Sequence, residues 1–452
     1  MNKNTELALN IAGAVKEAGG RCYYVGGYVR DKLMGIVSGD IDIEVHGITP
    51  DTLDKILDFF GHKREMGASF GIWGIDGYDV DIAMPRLEEA FGSHHRDFKT
   101  IVDPYIGTEK AAMRRDFTIN SILEDVLTGE IIDHFGGVDD IKNNLLRHTN
   151  NNSFGEDPLR VLRCAGFTAR LGFDVHDDTK KLCSEMNLEN LSSERIFAEL
   201  EKALLKSRKP SLFFDFLREC SHLSVWFQEV KALIGVEQCE IYHAEGDVYN
   251  HTMLALDIAA NLREKAENPL AFMLAVLCHD LGKAVATTVI DGRIRAFDHE
   301  NLGVDIADTF ISRLTSNKKL KKYVKNMVKL HMRPNMLVKQ KAGKKAYNRL
   351  FDKSESPKDL LLLSQVDFDA SLSNGEKESY EHTKAVLEKA LDDYNELMKK
   401  PGVTGKDLVD SGLVPSEDFT RLLDYAHMLH LSGVDKKNAL AQTLAQYKSG
   451  NI

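Results

Sequence analysis

Two sets of residues in this sequence have the types and spacing that chemistry requires. The first is Val25-Gly26-Gly27-Tyr28-Val29-Arg30-Asp31, followed by Asp40-Ile41-Asp42-Ile43-Glu44. Paired glycines let backbone N–H groups approach a bound anion, and Arg30 adds a fixed donor fork. Asp40 and Asp42 stand at alternate positions, so on a strand both carboxylates fall on one face, about 7 Å apart. Two carboxylates beside a phosphate grip suit a pair of Mg²⁺ ions and an in-line attack on a nucleotide phosphate. Asp81, in Tyr78-Asp79-Val80-Asp81-Ile82, is the candidate third carboxylate on the metal side, with Asp79 as the alternative of the same parity. The plainer reading is a turn flanked by solvent-facing acids. A lone glycine pair would favour that, but the combined spacing does not.

The second set lies in the C-terminal half. His251 sits in the helix-like run Asn250-His251-Thr252-Met253, and His279-Asp280 follows the apolar run Phe272 to Cys278. His299, His331 and Asp367 come later. Imidazoles and carboxylates that leave positions open for water make a hydrolytic site for divalent ions. Any one helical histidine is more often structural; the ordered set carries the reading.

Two further stretches stand between them. In Arg114-Arg115-Asp116-Phe117-Thr118-Ile119-Asn120, two adjacent arginines cannot both face one apolar core, so one is available for a phosphate or a carboxylate. In Glu156-Asp157-Pro158-Leu159-Arg160-Val161-Leu162-Arg163, Asp157 and Arg160 share a helix face, with Arg163 a turn further on. Such a row is usually a surface ion pair, yet an acceptor beside a guanidinium fork can also mimic the hydrogen-bonding edge of a base.

These residues need elements to hold them. At 452 residues the chain has length for about three domains, and its 43% hydrophobic and 28% charged content is that of a globular protein. Leu7, Ile11, Val15 and Ala18 recur at helical spacing before Gly19-Gly20, and Cys22 to Val25 reads as a buried strand. Gly71 to Ala83 alternates as a strand does, whereas Arg86 to Lys110, with His94, His95, Arg96 and Asp97, is polar and loop-like. Asp133 to Arg147 reads as a turn and a short helix, and from about Phe154 the pattern is helical. No apolar run approaches the length of a membrane span, and Met1 to Glu17 lacks the make-up of a secretory signal. Six scattered cysteines without a CxxC imply reduced thiols and a cytoplasmic protein. A net charge of −11 is the wrong sign for coating nucleic acid, so such a ligand needs a local basic surface. One stands out: Thr309 to Leu350 has no acid but many lysines, among them Lys318, Lys319, Lys321, Lys322, Lys325 and Lys329. The alternative for that stretch is a solvated helix face.

GGYVRD, DIDIE, RRDFTIN, the GG…D…LR run and EDPLRVLR occur in the order and spacing of the class II tRNA nucleotidyltransferases, and the chain resembles that family over Tyr23 to about Leu205. The family comprises CCA-adding enzymes, with bacterial poly(A) polymerases as close relatives. The resemblance implies that Asp40 and Asp42 bind two Mg²⁺, and that Gly26, Gly27, Arg30 and Arg114 meet the nucleotide's phosphates and sugar. Asp157 and Arg160 would then form a protein template for cytosine or adenine, supported by Arg163. Where the family usually has another arginine before the Phe of this helix, Gly166 stands here, ahead of Phe167. Glu88 to Asp103 resembles the family's flexible loop, which is associated with switching from C to A. The histidine set resembles the HD phosphohydrolases: His251, His279, Asp280 and Asp367 match their ligand positions, and His299 and His331 match accessory ones, for Ni²⁺, Mn²⁺ or Mg²⁺. The resulting expectation is an α/β head like polymerase β (1–148), a helical neck (149–210), a helical body with an HD domain (211–400) and a helical tail (401–452). Its function would be addition of CCA to the tRNA 3′ end from CTP and ATP. The rivals are a poly(A) or A-only polymerase, an HD phosphohydrolase with an RNA-binding head, and a non-catalytic RNA-binding module. Nothing in the sequence sets an oligomeric state.

Overall fold

The computed structural model describes residues 2–37, 39–65, 71–90, 98–239, 243–371 and 380–450, with backbone alone at 65, 87–90 and 98–100. It divides into two compact units, Met1–Glu199 with Asp215–His222, and Leu200–Phe214 with Leu223–Ile452.

The first unit opens with α1 (Lys3–Glu17), capped by the Asn2 side chain, which accepts from the Asn4 N–H. Leu7, Ile11 and Val15 are buried as their spacing predicts, while Ala18 caps the helix in solvent and Ala8 and Ala12 complete the apolar face. There follow β1 (Arg21–Val25), α2 (Gly27–Leu33), β2 (Ile41–His46), α3 (Pro50–Leu57), β3 (Lys63–Glu65), β4 (Ile72–Ile75) and β5 (Val80–Ala83). Next, β6 (Arg86–Ala90) and β7 (Phe98–Val102) pair as a separate antiparallel hairpin. This corrects the loop-like reading of Arg86 to Lys110: Leu87, Phe98, Ile101 and Val102 supply strand formers, and the intervening charges that hid them from periodicity are tolerated in a two-stranded ribbon. His94, His95, Arg96 and Asp97 lie outside the described residues. α4 (Thr108–Met113), β8 (Leu123–Asp125), β9 (Ile131–Ile132), α5 (Gly137–Lys142), β10 (Leu145–Leu146), α6 (Asn151–Gly155) and α7 (Leu159–Leu171) complete the part that concerns the site.

The sheet runs β3-β4-β5-β2-β1-β8-β9. β2 is its centre, antiparallel to β1 and parallel to β5. Ile41, Ile43 and Val45 alternate into a core shared with Ile11, Leu53, Val80 and Ile82. Each fully buried aliphatic side chain there contributes roughly 1.5–3 kcal/mol, which fixes the register on which the acids depend. α7 begins where Asp157 accepts the Leu159 N–H, and it ends at Gly172 in a left-handed conformation. Its Phe167 packs edge-on to Phe117 at 5.4 Å, which itself meets Phe154 at 5.5 Å.

The second unit is helical and carries one short hairpin, Thr287–Ile290 with Arg293–Ala296. Its centre is the helix Pro269–Cys278, buried from Ala271 onward. Contrary to the sequence expectation, the window Pro269–Ala286 is apolar enough to cross a membrane, with a mean hydropathy of 1.4, but 72% of it is buried inside the fold. An apolar helix covered on all sides by other helices is a core helix. Val248–Ala260, His299–Leu314, Lys318–Leu330 and Pro357–Ala370 carry His251, His299 and Asp367 or pack beside them, and Gly405–Asp410, Asp418–Leu431 and Lys436–Lys448 form the C-terminal helices.

Candidate functional site

In the first unit, β1 ends at Gly26, whose φ of +67° is a conformation that L side chains rarely adopt. A Cβ there would lie 3.3 Å from Arg115 Nη1 and 3.5 Å from Asp42 Oδ2, so the glycine turn, Arg115 and Asp42 meet at one spot. The parallel β2–β5 register sets Asp42 beside Asp81. Asp40 lies just ahead of β2 and Asp79 just ahead of β5, both exposed. Burial, then the charges of Asp40 and Asp81, raise the pKa of Asp42 to about 6 against the pull of Arg115. Burial and Asp40 raise Asp81 as well. With Asp42 and Asp81 both raised by burial and by the charge of Asp40, the site is short of positive charge, which a hard divalent ion supplies.

The arginines are organised around this trio. Arg115 Nη2 donates to Glu44 at 3.0 Å, and Glu44 also pairs with His46 at 2.8 Å. Burial alone would raise Glu44, but Arg115 and His46 lower it to about 2. Arg30 donates to Asp31 at 2.6 Å and to Asn120 at 2.8 Å. Asn120 donates in turn to Asp116 at 3.0 Å, and Arg163 grips Asp116 at 2.6 Å. Arg114 donates to the Arg86 carbonyl at 2.7 Å. The turn motif, the RRDFTIN motif and α7 are therefore one hydrogen-bonded assembly.

The plainer reading, an ion pair between Asp157 and Arg160, is not the arrangement seen. Asp157 instead pairs with Arg195 at 2.7 Å. Arg160 extends over the Phe154 ring, 5.8 Å from its centroid, to the carbonyls of Ser153 and Arg114. The i, i+3 geometry assumed a helix already formed at Asp157, but the helix starts at Leu159, and Asp157 is spent on its first turn. Arg115 enters the sequence reading only as one of two arginines, either of which could meet a phosphate or a carboxylate, and Asn120 and Arg195 have no role in it. The first two lay inside a quoted motif, whereas Arg195 had no local signal at all.

In the second unit, four imidazoles turn Nε2 inward in two pairs, His251 with His279 at 3.4 Å and His299 with His331 at 3.3 Å, and each Nδ1 is tied. His279 bonds the Val276 carbonyl at 2.7 Å, His331 that of Val328 at 2.7 Å and His299 that of Ala296 at 2.8 Å, while His251 bonds Glu245 at 2.9 Å. Such bonds fix the tautomer that leaves Nε2 as a ligand. The ligand atoms of His251, His279, Asp280 and Asp367 lie within 4.8 Å of one another, as do those of Asp280, His299 and His331. Asp280 belongs to both sets: Oδ2 faces His279 at 3.3 Å and Oδ1 faces His299 at 3.4 Å. Gly282 makes this possible, since a Cβ there would stand 2.0 Å from the His299 carbonyl oxygen. Lys283 Nζ lies 2.7 Å from Asp280 Oδ2, yet that buried oxygen has no hydrogen bond of sound geometry and keeps a lone pair for an ion. Asp280 is held well below the usual carboxylate range despite its burial, chiefly by Lys283 and His279. Burial lowers His331 to about 4, with His279 adding to it. His251 is raised to about 9 against burial by Asp367 and Glu245.

The lysine-rich stretch is less available than its sequence suggests. Lys321 and Lys325 face Asp308 at 3.5 and 3.4 Å, and Lys322 pairs with Glu355 at 2.7 Å. The acids missing from the stretch itself come from outside it, so for these three residues the solvated, paired face is the better description.

Comparison with known proteins gives the family. Residues 22–147 match the poly A polymerase head domain, 172–234 the probable RNA and SrmB-binding site of polymerase A, and 248–367 the HD domain. Curated relatives named multifunctional CCA protein match over 63% to 74% of their own length. One, from Actinobacillus pleuropneumoniae serotype 5b, is 37% identical over 316 residues, covering 68% of this chain and 74% of its own. The chain belongs to the multifunctional CCA protein family. The fold agrees with that of CCA-adding enzymes. The Bacillus stearothermophilus enzyme in complex with CTP aligns over 100% of this chain and 99% of its own, with 20% identity and a TM-score of 0.68. The Thermotoga maritima enzyme complexed with tRNA aligns over 98% and 95%, with 21% identity and a TM-score of 0.61. Both units of this multifunctional CCA family member thus carry donor sets suited to divalent ions.

Proposed function

We propose that this chain adds C, C and A to the 3′ end of tRNA from CTP and ATP. The observation that carries the reading is the Asp42–Asp81 register beside the Gly26-Gly27 turn, in a chain whose relatives are multifunctional CCA proteins. Asp40 and Asp42 would hold Mg²⁺, with Asp81 completing the acidic face. When bound, such ions lower the pKa of the attacking 3′-hydroxyl and neutralise charge on the α-phosphate and on leaving pyrophosphate. The backbone N–H groups of the glycine turn receive the phosphates, and Arg115 balances Asp42 until the ions arrive. Arg30, locked by Asp31 and Asn120, holds the turn in shape. Asp157 and Arg160 would read the base, with Arg163 anchoring their helix through Asp116. In this reading residues 1–148 form the head, 149–210 the neck, 211–400 the HD-bearing body and 401–452 the tail. Six cysteines without a disulfide accord with a cytoplasmic enzyme.

The test is to incubate the protein with tRNA lacking its terminus and with CTP, ATP or both, then sequence the products. CCA ends are expected only with both nucleotides; long A tails, or A alone on a CC end, would replace this reading by one of its rivals.

A second activity is favoured by the imidazole geometry. His251, His279, Asp280 and Asp367, with His299 and His331, would hold Ni²⁺, Mn²⁺ or Mg²⁺ and hydrolyse phosphoesters such as 2′,3′-cyclic phosphates. Turnover of a cyclic phosphate with each metal in turn tests it.

A further inference from the structure

Phe167 on α7 is buried, and three guanidinium groups stand over its ring: Arg170 at 4.4 Å from the centroid, Arg30 at 5.2 Å and Arg163 at 5.6 Å. Three like charges gathered in one partly enclosed place need compensation. Arg30 has Asp31 at 2.6 Å, and Arg163 has Asp116 at 2.6 Å. Arg170 has no such partner. Its Nε donates to the Gly166 carbonyl at 3.2 Å, and among the described residues no carboxylate lies within ion-pairing distance of it. Glu199 and Asp31 reach it only through space, and burial followed by the charge of Arg30 lowers its pKa. The attraction of a cation to an aromatic ring is too small to account for desolvating a third guanidinium beside two others. The cluster also borders the glycine turn, because a Cβ on Gly27 would meet Arg30 Nη2 at 3.5 Å. What the place lacks is an anionic partner for Arg170.

We propose that Arg170 binds the terminal phosphates of the incoming nucleoside triphosphate, and the pyrophosphate released from it. This rests on the proposed nucleotidyl transfer. The guanidinium fork matches two phosphate oxygens at once, and the ring of Phe167, 4.4 Å away, supports it from one side. A polyphosphate suits the cluster better than an RNA backbone does. An RNA backbone is met by exposed cations spread along a surface, whereas Arg170 stands partly enclosed, in a cluster that borders the glycine turn.

Calorimetric titration of the full-length protein in Mg²⁺ with CTP, CMP and inorganic pyrophosphate tests this on wild type, Arg170→Met and Arg170→Lys. Arg170→Met keeps the packing on Phe167 and should weaken CTP and pyrophosphate on the order of ten- to a hundredfold, while CMP changes less than about twofold. Arg170→Lys should lose roughly three- to tenfold of the CTP-to-CMP affinity ratio, since a point charge does not reproduce the fork. If thermal melting shows that Arg170→Met does not fold, the lysine variant decides by that ratio. An unchanged CTP affinity, an equal loss for CTP and CMP, or a loss confined to tRNA binding would each overturn the assignment. A wild type that adds nucleotides but binds them with no preference for the triphosphate also overturns it. A wild type that binds no nucleotide overturns the proposed function beneath it.

Discussion

Asp42 and Asp81 face each other across a parallel strand pair, although 39 positions separate them in the chain. The pairing is set by apolar neighbours: Ile41 opposes Val80 and Ile43 opposes Ile82, and all four are buried. A slip of one residue would bury acids and expose isoleucines, so the core fixes the acidic face.

From this arrangement, Asp42→Ala should reduce nucleotide addition by on the order of a thousandfold or more, with tRNA affinity changed less than about threefold. Single-turnover incorporation and filter binding measure the two. Incorporation within tenfold of wild type would dismiss the metal role.

Metal affinity should depend on pH through the same residue. The carboxyl of Asp42 titrates at about 6, raised by burial and by its acidic neighbours. Below that pH it carries a proton that an ion must displace, and above it does not. Apparent Mg²⁺ affinity should therefore weaken as pH falls through 6, with proton uptake by the free protein, and level off above 7. Calorimetry in buffers of different ionisation enthalpy would show it; a flat profile from pH 5 to 8 would not fit.

Base choice should pass through two arginines. Arg160→Ala should admit U or G, because a base edge left unpaired no longer penalises the wrong nucleotide. Arg195→Ala should do so more mildly, by releasing Asp157 from its ion pair. Product sequencing in mixed nucleotides reads both, and lost rate with intact selectivity would make the residues purely structural.

In the second unit, Asp280→Ala removes the carboxylate common to both ligand sets and should abolish phosphodiesterase turnover, while His331→Ala removes a member of one set only and should cost less. CCA addition should persist in both. Equal background hydrolysis in wild type and Asp280→Ala would leave this domain without an activity.

Acid stability of the first unit should depend on Glu44. Its folded pKa is lowered to about 2, so the unfolded chain binds a proton first as pH falls. The stabilisation is complete above the unfolded value near pH 4.5 and is lost as pH drops toward 2. It amounts to a few kcal/mol, about 3 at most by linkage. Acid melts followed by a probe in this unit should show Glu44→Gln flattened over that window.

Local groupings of candidate residues are readable from the chain. Gly26, Asp40, Asp42 and Asp81 announce themselves by type and alternation, as does the ordered histidine set. Partnerships across sequence distance are not. The sequence places Asp157 on a face with Arg160 three positions away, but its ion-pair partner is Arg195, reached only once the chain has folded back. Helical periodicity places residues on a face and says nothing about what another segment brings to that face. The hairpin at β6 and β7 was missed for a related reason, since short strands rich in charge gain their stability from each other. The lysines near Lys321 looked unopposed because their counter-charges, Asp308 and Glu355, lie outside the stretch.

The chain of bonds Arg163–Asp116–Asn120–Arg30 joins the helix that would read the base to the turn that would hold the phosphates. Neither end can tilt without straining the other. A mismatched nucleotide that props α7 away would thereby drag its own α-phosphate off the line of attack. Errors would then be rejected as slow reactions more than as weak complexes, and a wrong nucleotide would have time to leave before it is joined.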